Sequence, residues 1–298
     1  MLLYNKPTVT VCGQSAEVEL VGKGEDPMPE WPEMEYYRNQ LAARIAGQPI
    51  VGVQVTRPKS INVSSEQFEA ELLNRTVWFV ERRGKMLVFH LDSGKRLVLH
   101  LMLGGLIQFA AADEPTERTV QVAIRFPAGE LRFIGLRLGY IHLLTAKETE
   151  AQLGKLGPDP FDKRLTLERF TQRFAGKRGT LKSTLVDQHV ISGIGNCYAD
   201  EIAFTAGVRP DAKVTEMEPQ TWERLYAAMH EVLTDALNHG GYMEMPLTAN
   251  DTLIGGYNER CRVYDRGGES CLVCGTTIVQ GEIGSRKMFY CPTCQKER

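Results

Sequence analysis

Between Ile50 and Leu144 the apolar residues either alternate with polar ones or run together in short blocks. The blocks are Ile50–Val55, Thr76–Val80, Met86–Leu91, Arg96–Leu101, Val120–Phe126 and Glu130–Ile134. A period of two predicts strands, and turn-forming residues such as Asp92-Ser93-Gly94 and Pro127-Ala128-Gly129 separate them, so a β-sandwich or barrel is expected. Ahead of it, Glu33 to Ala46 has the spacing and composition of a helix, ended by Gly47 and Pro49. Leu156-Gly157-Pro158-Asp159-Pro160 breaks helix and strand alike and reads as a domain linker. Beyond it the period becomes helical, most clearly at Thr166–Phe170, Thr180–Leu185, Asn196–Thr205 and Pro219–Leu237.

The last segment has a different chemistry. Cys271-Leu-Val-Cys274 and Cys291-Pro-Thr-Cys294 form two close thiol pairs, the spacing of two knuckles that close one tetrahedral Zn2+ site; a disulfide pair or free thiols is the alternative. A segment this short buries little apolar core, so bound zinc would supply much of its folding energy. Four thiolates complete the coordination shell and leave no open position, so the zinc is structural. Cys12, Cys197 and Cys261 are scattered, as thiols are in a reducing compartment.

No apolar run is long enough to cross a bilayer and no secretory leader pattern opens the chain, which points to the cytoplasm, on the nucleoid when acting. The formal net charge of −2 argues against polyanion binding by overall charge. Locally the balance differs: Lys163, Arg164, Arg169, Arg173, Lys177, Arg178 and Lys182 face the single acid Glu168. Such a run is either a solvated helix face or a phosphate-binding surface.

Asp187 to Asn196 forms a turn between two helices. Gly193 and Gly195 allow close backbone approach, and Asn196 opens the next helix, whose N-terminal donors favour a phosphate; a tight interhelical turn with Asn196 as its cap is the plainer reading. Met28-Pro29-Glu30-Trp31-Pro32-Glu33 on its own is an ordinary helix start.

Taken together, these motifs resemble the formamidopyrimidine-DNA glycosylase and endonuclease VIII family of base-excision repair enzymes, from Met28 to the C-terminus. The resemblance is carried by Pro29-Glu30 and Pro32-Glu33, Arg83-Gly84-Lys85, His100 to Gly105, Leu156 to Pro160 and the helix-two-turn-helix segment at Gly193–Asn196. In the ribbon it extends to Val263-Tyr264 and Arg286. It implies a multidomain α+β protein: a β-sandwich catalytic domain (28–150) with an N-terminal helix, a helix-two-turn-helix domain (151–255) and a zinc ribbon (256–298). It implies a monomer that acts on double-stranded DNA containing oxidised bases or abasic sites. Pro29 would be the nucleophile, Glu30 the general acid/base and Glu33 a supporting residue. Lys85 would be a third catalytic residue, set on a phosphate near the lesion, and Lys85, Leu103, Arg137, Lys182, Asn196 and Arg286 would contact DNA.

Proline can act as an amine nucleophile only at a chain's N-terminus, because within a chain its nitrogen is an amide. Residues 1–27 are therefore expected to be an extension from a start assigned too far upstream, with proteolytic removal or a retained extension without the proline mechanism as alternatives. Their absence removes two basic and four acidic residues and brings the formal charge to zero. The sequence also departs from the family pattern, with Leu103 where a methionine is usual and Leu136-Arg137-Leu138-Gly139 where the usual loop is Arg-Arg-Phe-Gly. The preferred lesion thus stays open between oxidised purines, formamidopyrimidines and oxidised pyrimidines. A non-catalytic protein that binds distorted DNA is the rival reading, and an RNA-binding zinc ribbon is a weaker one, since no aromatic stacking platform is visible.

Overall fold

In the computed structural model, residues 10–11, 14–15, 28–111, 113–116 and 118–296 are described. Apart from the short pairing of β1 (Thr10–Val11) with β2 (Gln14–Ser15), the expected extension 1–27, Cys12 included, lies outside the described residues.

The β-rich lobe begins with α1 (Trp31–Ile45), which carries Pro32 in its first turn, where a missing N–H costs nothing. Met34, Tyr37, Leu41 and Ile45 fall on one face at helical spacing, and all are fully buried. Two antiparallel sheets follow. One orders β11 (Tyr140–Leu144), β7 (Arg96–His100), β6 (Met86–Leu91), β5 (Thr76–Arg83) and β3 (Gln48–Pro49). The other orders β4 (Gly52–Val55), β9 (Val120–Phe126), β10 (Gly129–Ile134) and β8 (Leu106–Ala110). Phe89, Leu97, Leu99, Phe133, Ile124 and Val122 from both sheets share one core with α1 and α2 (Ser65–Leu72), giving the expected sandwich.

Register decides which loops share an end of that sandwich. Met86 pairs with His100, and His100 with Tyr140, so Lys85, the loop after His100 and the loop before Tyr140 all emerge at the same edge. The two loops are packed backbone to backbone: a Cβ on Gly135 would lie 2.2 Å from the Gly104 carbonyl oxygen, and one on Gly139 would lie 2.5 Å from that of Leu101. Only glycine permits this approach.

After α3 (Ala146–Leu153) the linker crosses to the helical lobe, built from α4 (Leu167–Phe174), α5 (Leu181–Leu185), α6 (Asn196–Thr205) and α7 (Pro219–Asn238) around their own apolar core. The crossing is fastened. Asp159 accepts from Trp31 Nε1 at 3.1 Å and pairs with Arg82, whose Nε also donates to Glu35 at 2.8 Å. Trp31 stacks on Phe161, and the Arg82 guanidinium lies over its ring. The chain ends in a hairpin of β12 (Val279–Ile283) and β13 (Arg286–Tyr290) beside the two cysteine pairs.

Candidate active site

Pro29 and Glu30 sit at the mouth of α1, where the two lobes meet, and both are buried. The Trp31 N–H donates to the Gly193 carbonyl at 2.9 Å, which ties the start of α1 to the interhelical turn. Glu30 extends its carboxylate onto the first turn of α6, accepting from the Gly195 N–H at 2.6 Å and the Cys197 N–H at 3.0 Å. These N–H groups have no intrahelical acceptor, so a carboxylate from the other lobe satisfies them. Gly195, not Asn196, occupies the N-cap position; Asn196 is the first helical residue, and its buried Oδ1 has no partner among the described residues.

Lys85 projects from the turn between β5 and β6 and is buried, unlike an ordinary hairpin lysine. A Cβ placed on Gly195 would lie 2.3 Å from Lys85 Nζ and 2.5 Å from Glu30 Oε1. Burial raises the Glu30 pKa, against the lowering effects of Lys85 and the backbone donors. Burial likewise lowers that of Lys85, opposed by Glu30 and Glu33, while Arg286 adds to the lowering. Both groups are thereby brought nearer to the neutral range where a side chain can give and take a proton.

Glu33 lies one turn into α1, fully buried. Its Oε1 accepts from Tyr198 Oη at 2.6 Å and from the Tyr242 N–H at 2.9 Å, and its Oε2 accepts from the Glu30 N–H at 2.9 Å. Burial pushes it up to about 6, with the hydrogen bond from Tyr198 pulling the other way. Gly241, with φ of +77°, leaves room for it; a Cβ there would meet Glu33 Oε1 at 2.2 Å. Tyr198 and Tyr242 carry no motif of their own in the sequence, and only the folded chain shows them supporting the carboxylate.

The remaining candidates separate into two groups. Leu103, Arg137 and Leu138 are exposed on the two interlocked loops at the Lys85 edge, whereas Leu136 points into the core. Arg286 is exposed at the start of β13. Lys182 is placed apart from them, almost wholly buried beneath α6. Its Nζ donates to Asp200 at 2.7 Å, to the Lys287 carbonyl at 2.5 Å and to the Asn196 carbonyl at 3.4 Å. Asp200 also accepts from the Phe289 N–H at 3.0 Å, and neighbouring Glu201 takes the N–H groups of Arg262, Val263 and Tyr264. Two adjacent acids in the otherwise apolar helix Asn196–Thr205 were the sequence signal for this anchor.

In the ribbon, the sulfurs of Cys271, Cys274, Cys291 and Cys294 all lie within 4.8 Å of one another, with Cys271 and Cys294 3.9 Å apart and Cys274 and Cys291 3.5 Å apart. A tetrahedron with Zn–S of about 2.3 Å requires sulfurs roughly 3.8 Å apart, so the donor set fits zinc.

An acid seated on a helix-two-turn-helix N-terminus, a buried lysine beside it and a four-cysteine ribbon are the arrangement that the resemblance to base-excision DNA glycosylases implies. The chain belongs to the formamidopyrimidine-DNA glycosylase family. Residues 28–141 match the formamidopyrimidine-DNA glycosylase N-terminal domain, residues 156–245 the H2TH domain of the same enzymes, and residues 268–296 the zinc finger found in FPG and IleRS. It is 32% identical over 274 residues to the formamidopyrimidine-DNA glycosylase of Pelotomaculum thermopropionicum, covering 90% of this chain and 99% of that protein. It is 34% identical over 276 residues to that of Thermosynechococcus vestitus, covering 90% and 97%. Among solved structures, a Lactococcus lactis FPG mutant in complex with a Fapy-dG containing DNA superposes with a TM-score of 0.83 at 28% identity, covering 90% of this chain and all of that one. Lactococcus lactis Fpg with an abasic site containing DNA gives 0.82 at 27% identity, with the same coverage. No helix among the described residues is long and apolar enough to cross a membrane.

Proposed function

We propose that this chain is a bifunctional DNA glycosylase and abasic-site lyase that excises oxidised bases, formamidopyrimidines among them, from double-stranded DNA. The observation that carries this reading is the meeting of Pro29-Glu30, Lys85 and the first turn of α6 at one point between the lobes. In the working form the chain begins at Pro29, whose secondary amine attacks C1′ of the damaged nucleotide and expels the base as a Schiff base forms. Glu30, its proton held more firmly because it is buried, protonates the ring oxygen so that the sugar opens. Glu33 fixes the Glu30 backbone and takes no direct part. The Schiff base then acidifies the C2′ proton. Its removal expels the 3′ phosphate, and a second elimination expels the 5′ phosphate.

Lys85, Asn196 and Arg286 hold backbone phosphates around the lesion, which positions the duplex without reading its sequence. The target nucleotide must leave the stack to reach the amine. Leu103, Arg137 and Leu138, exposed on the two interlocked loops, enter the vacated space. Zinc, held by the four cysteines, supplies folding energy to the ribbon and leaves the chemistry to the β-rich lobe.

The test is borohydride trapping. A form beginning at Pro29 is incubated with a duplex carrying an abasic site and reduced, and the covalent adduct is mapped by mass spectrometry. An adduct on Pro29, absent when residues 1–28 are retained, supports the reading. Strand scission with no trapped species, or an adduct on a lysine, would overturn it.

A further inference from the structure

The basic run that follows the linker is only partly used by the site described above. Lys182 is buried in the anchor under α6, and Lys177 pairs with Asp187. Arg164, Arg169 and Arg173 instead surround a separate cavity of about 490 Å³, together with Gln172 and Asp162, with Pro158 at its rim. Phe170 and Phe174 face the core, so the same helical spacing turns Arg169 and Arg173 to the outside.

Two of these guanidinium groups are held in place by backbone carbonyls rather than by acids. Arg173 donates through Nε to the Val190 carbonyl at 3.1 Å and through Nη2 to the His189 carbonyl, which leaves Nη1 unused. Arg169 donates through Nη1 to the Arg164 carbonyl at 3.1 Å, leaving Nε and Nη2 unused. Among the described residues neither forms an ion pair. Arg164 is matched by Asp162 in a two-point pair, at 3.0 and 2.7 Å, and Glu168 is engaged by Gln172 at 3.2 Å. The cavity lining therefore keeps an excess of positive charge, on arginines whose side-chain freedom has already been given up to backbone carbonyls. That arrangement suits a phosphate group, which planar guanidinium recognises through paired N–H donors.

Its place in the fold supplies the source of the phosphate. His189 and Val190, which clamp Arg173, belong to the turn that ends at Gly195 and Asn196, and Pro158 accepts the Ser192 N–H from the same turn. Cavity and candidate active site thus flank one turn of the chain. We propose that Arg169 and Arg173 form a second phosphate-binding site, which engages the DNA backbone on one side of the lesion, beyond the cleft. This rests on the DNA-binding reading above; a free phosphate ion would share the chemistry.

Duplexes with a central abasic-site analogue, lengthened one base pair at a time on either flank, distinguish these cases. The expected result is a step in affinity at a defined flank length on one side only. The step should be lost in Arg169→Ala, with the slope of log K against log salt shallower by about 0.9 for each phosphate released. The shortest duplex should bind both forms alike. Arg173 is left intact because it also braces the turn. Pyrophosphate is titrated in parallel, followed by thermal stability. No flank step, but stabilisation by pyrophosphate that Arg169→Ala abolishes, would assign the cavity to a free phosphate and overturn the DNA contact. Neither effect would overturn the site altogether. Wild-type protein that binds no duplex at all would instead refute the DNA-binding reading, and the pyrophosphate titration would still decide the cavity.

Discussion

Gly195 and Glu30, 165 residues apart, meet as donor and acceptor at 2.6 Å, and the space above Gly195 is filled by Glu30 itself and by Lys85. A methyl group there would have to displace one or both. Gly195→Ala is therefore expected to reduce base excision and trapping by about a hundredfold, the scale of an ångström-sized misplacement of catalytic groups. Zinc content and the unfolding midpoint should change little. Steady-state and trapping kinetics, together with metal analysis, check this.

Tyr198 holds Glu33 by its hydroxyl and favours the ionised carboxylate. Tyr198→Phe should raise the Glu33 pKa above its value of about 6; because ionised Glu33 holds the Glu30 backbone, the acidic limb of the kcat/KM profile should follow it to higher pH. The wild-type limb should lie near that value. A parallel loss of activity at every pH would show that the hydroxyl serves only to keep the fold together.

The same residue makes stability depend on pH. Glu33 binds its proton more tightly in the folded chain than in the unfolded one. Its contribution is fully present below the ordinary carboxylate pKa of 4.5 and lost as pH rises through about 6. A shift of that size corresponds to roughly 2 kcal/mol. Urea unfolding across this interval should show Glu33→Gln with a flatter pH dependence than wild type.

Lys182→Met leaves Asp200 buried and uncompensated, and is expected to cost about 3–5 kcal/mol, the range for breaking a buried ion pair. Once the variant is folded, the salt dependence of DNA binding should keep its slope, since the Lys182 ammonium is occupied by Asp200 and two backbone carbonyls. A slope reduced by about one unit would return Lys182 to the DNA-contact set.

Removing zinc should dissolve the ribbon without melting the sandwich, because the ribbon's small core, which it shares with Phe204 of α6, is separate from that of the sandwich. Chelation is expected to release one zinc per chain and to abolish tight DNA binding while the main thermal transition persists. Calorimetry with a zinc-release assay would show whether the two events separate.

Much of the architecture could be read from the sequence because it is written in local periodicity. Met86–Leu91, Val120–Phe126 and Asn196–Thr205 coincide with the elements they predicted. β8 and β11 were overlooked because each follows a glycine-bearing loop and is defined by a partner strand in register. α2 was missed although Ser64 caps it, accepting from the Gln67 N–H. The partners of Lys182 are hidden for a different reason. Its ammonium is balanced by a carboxylate 18 residues away and a carbonyl 105 residues away, and no local pattern records either. The tyrosines supporting Glu33 are hidden in the same way, by contacts that exist only once the lobes close on each other.

α6 serves two masters. Its leading amides grip the acid of one lobe, while, a turn further on, Asp200 holds the C-terminal hairpin and Glu201 the segment that leads into the ribbon. A tilt of this single rod would shift the seat of Glu30 and the hairpin that carries Arg286 together. The proton transfer and the phosphate contact proposed for these two residues are thus mechanically linked through one helix.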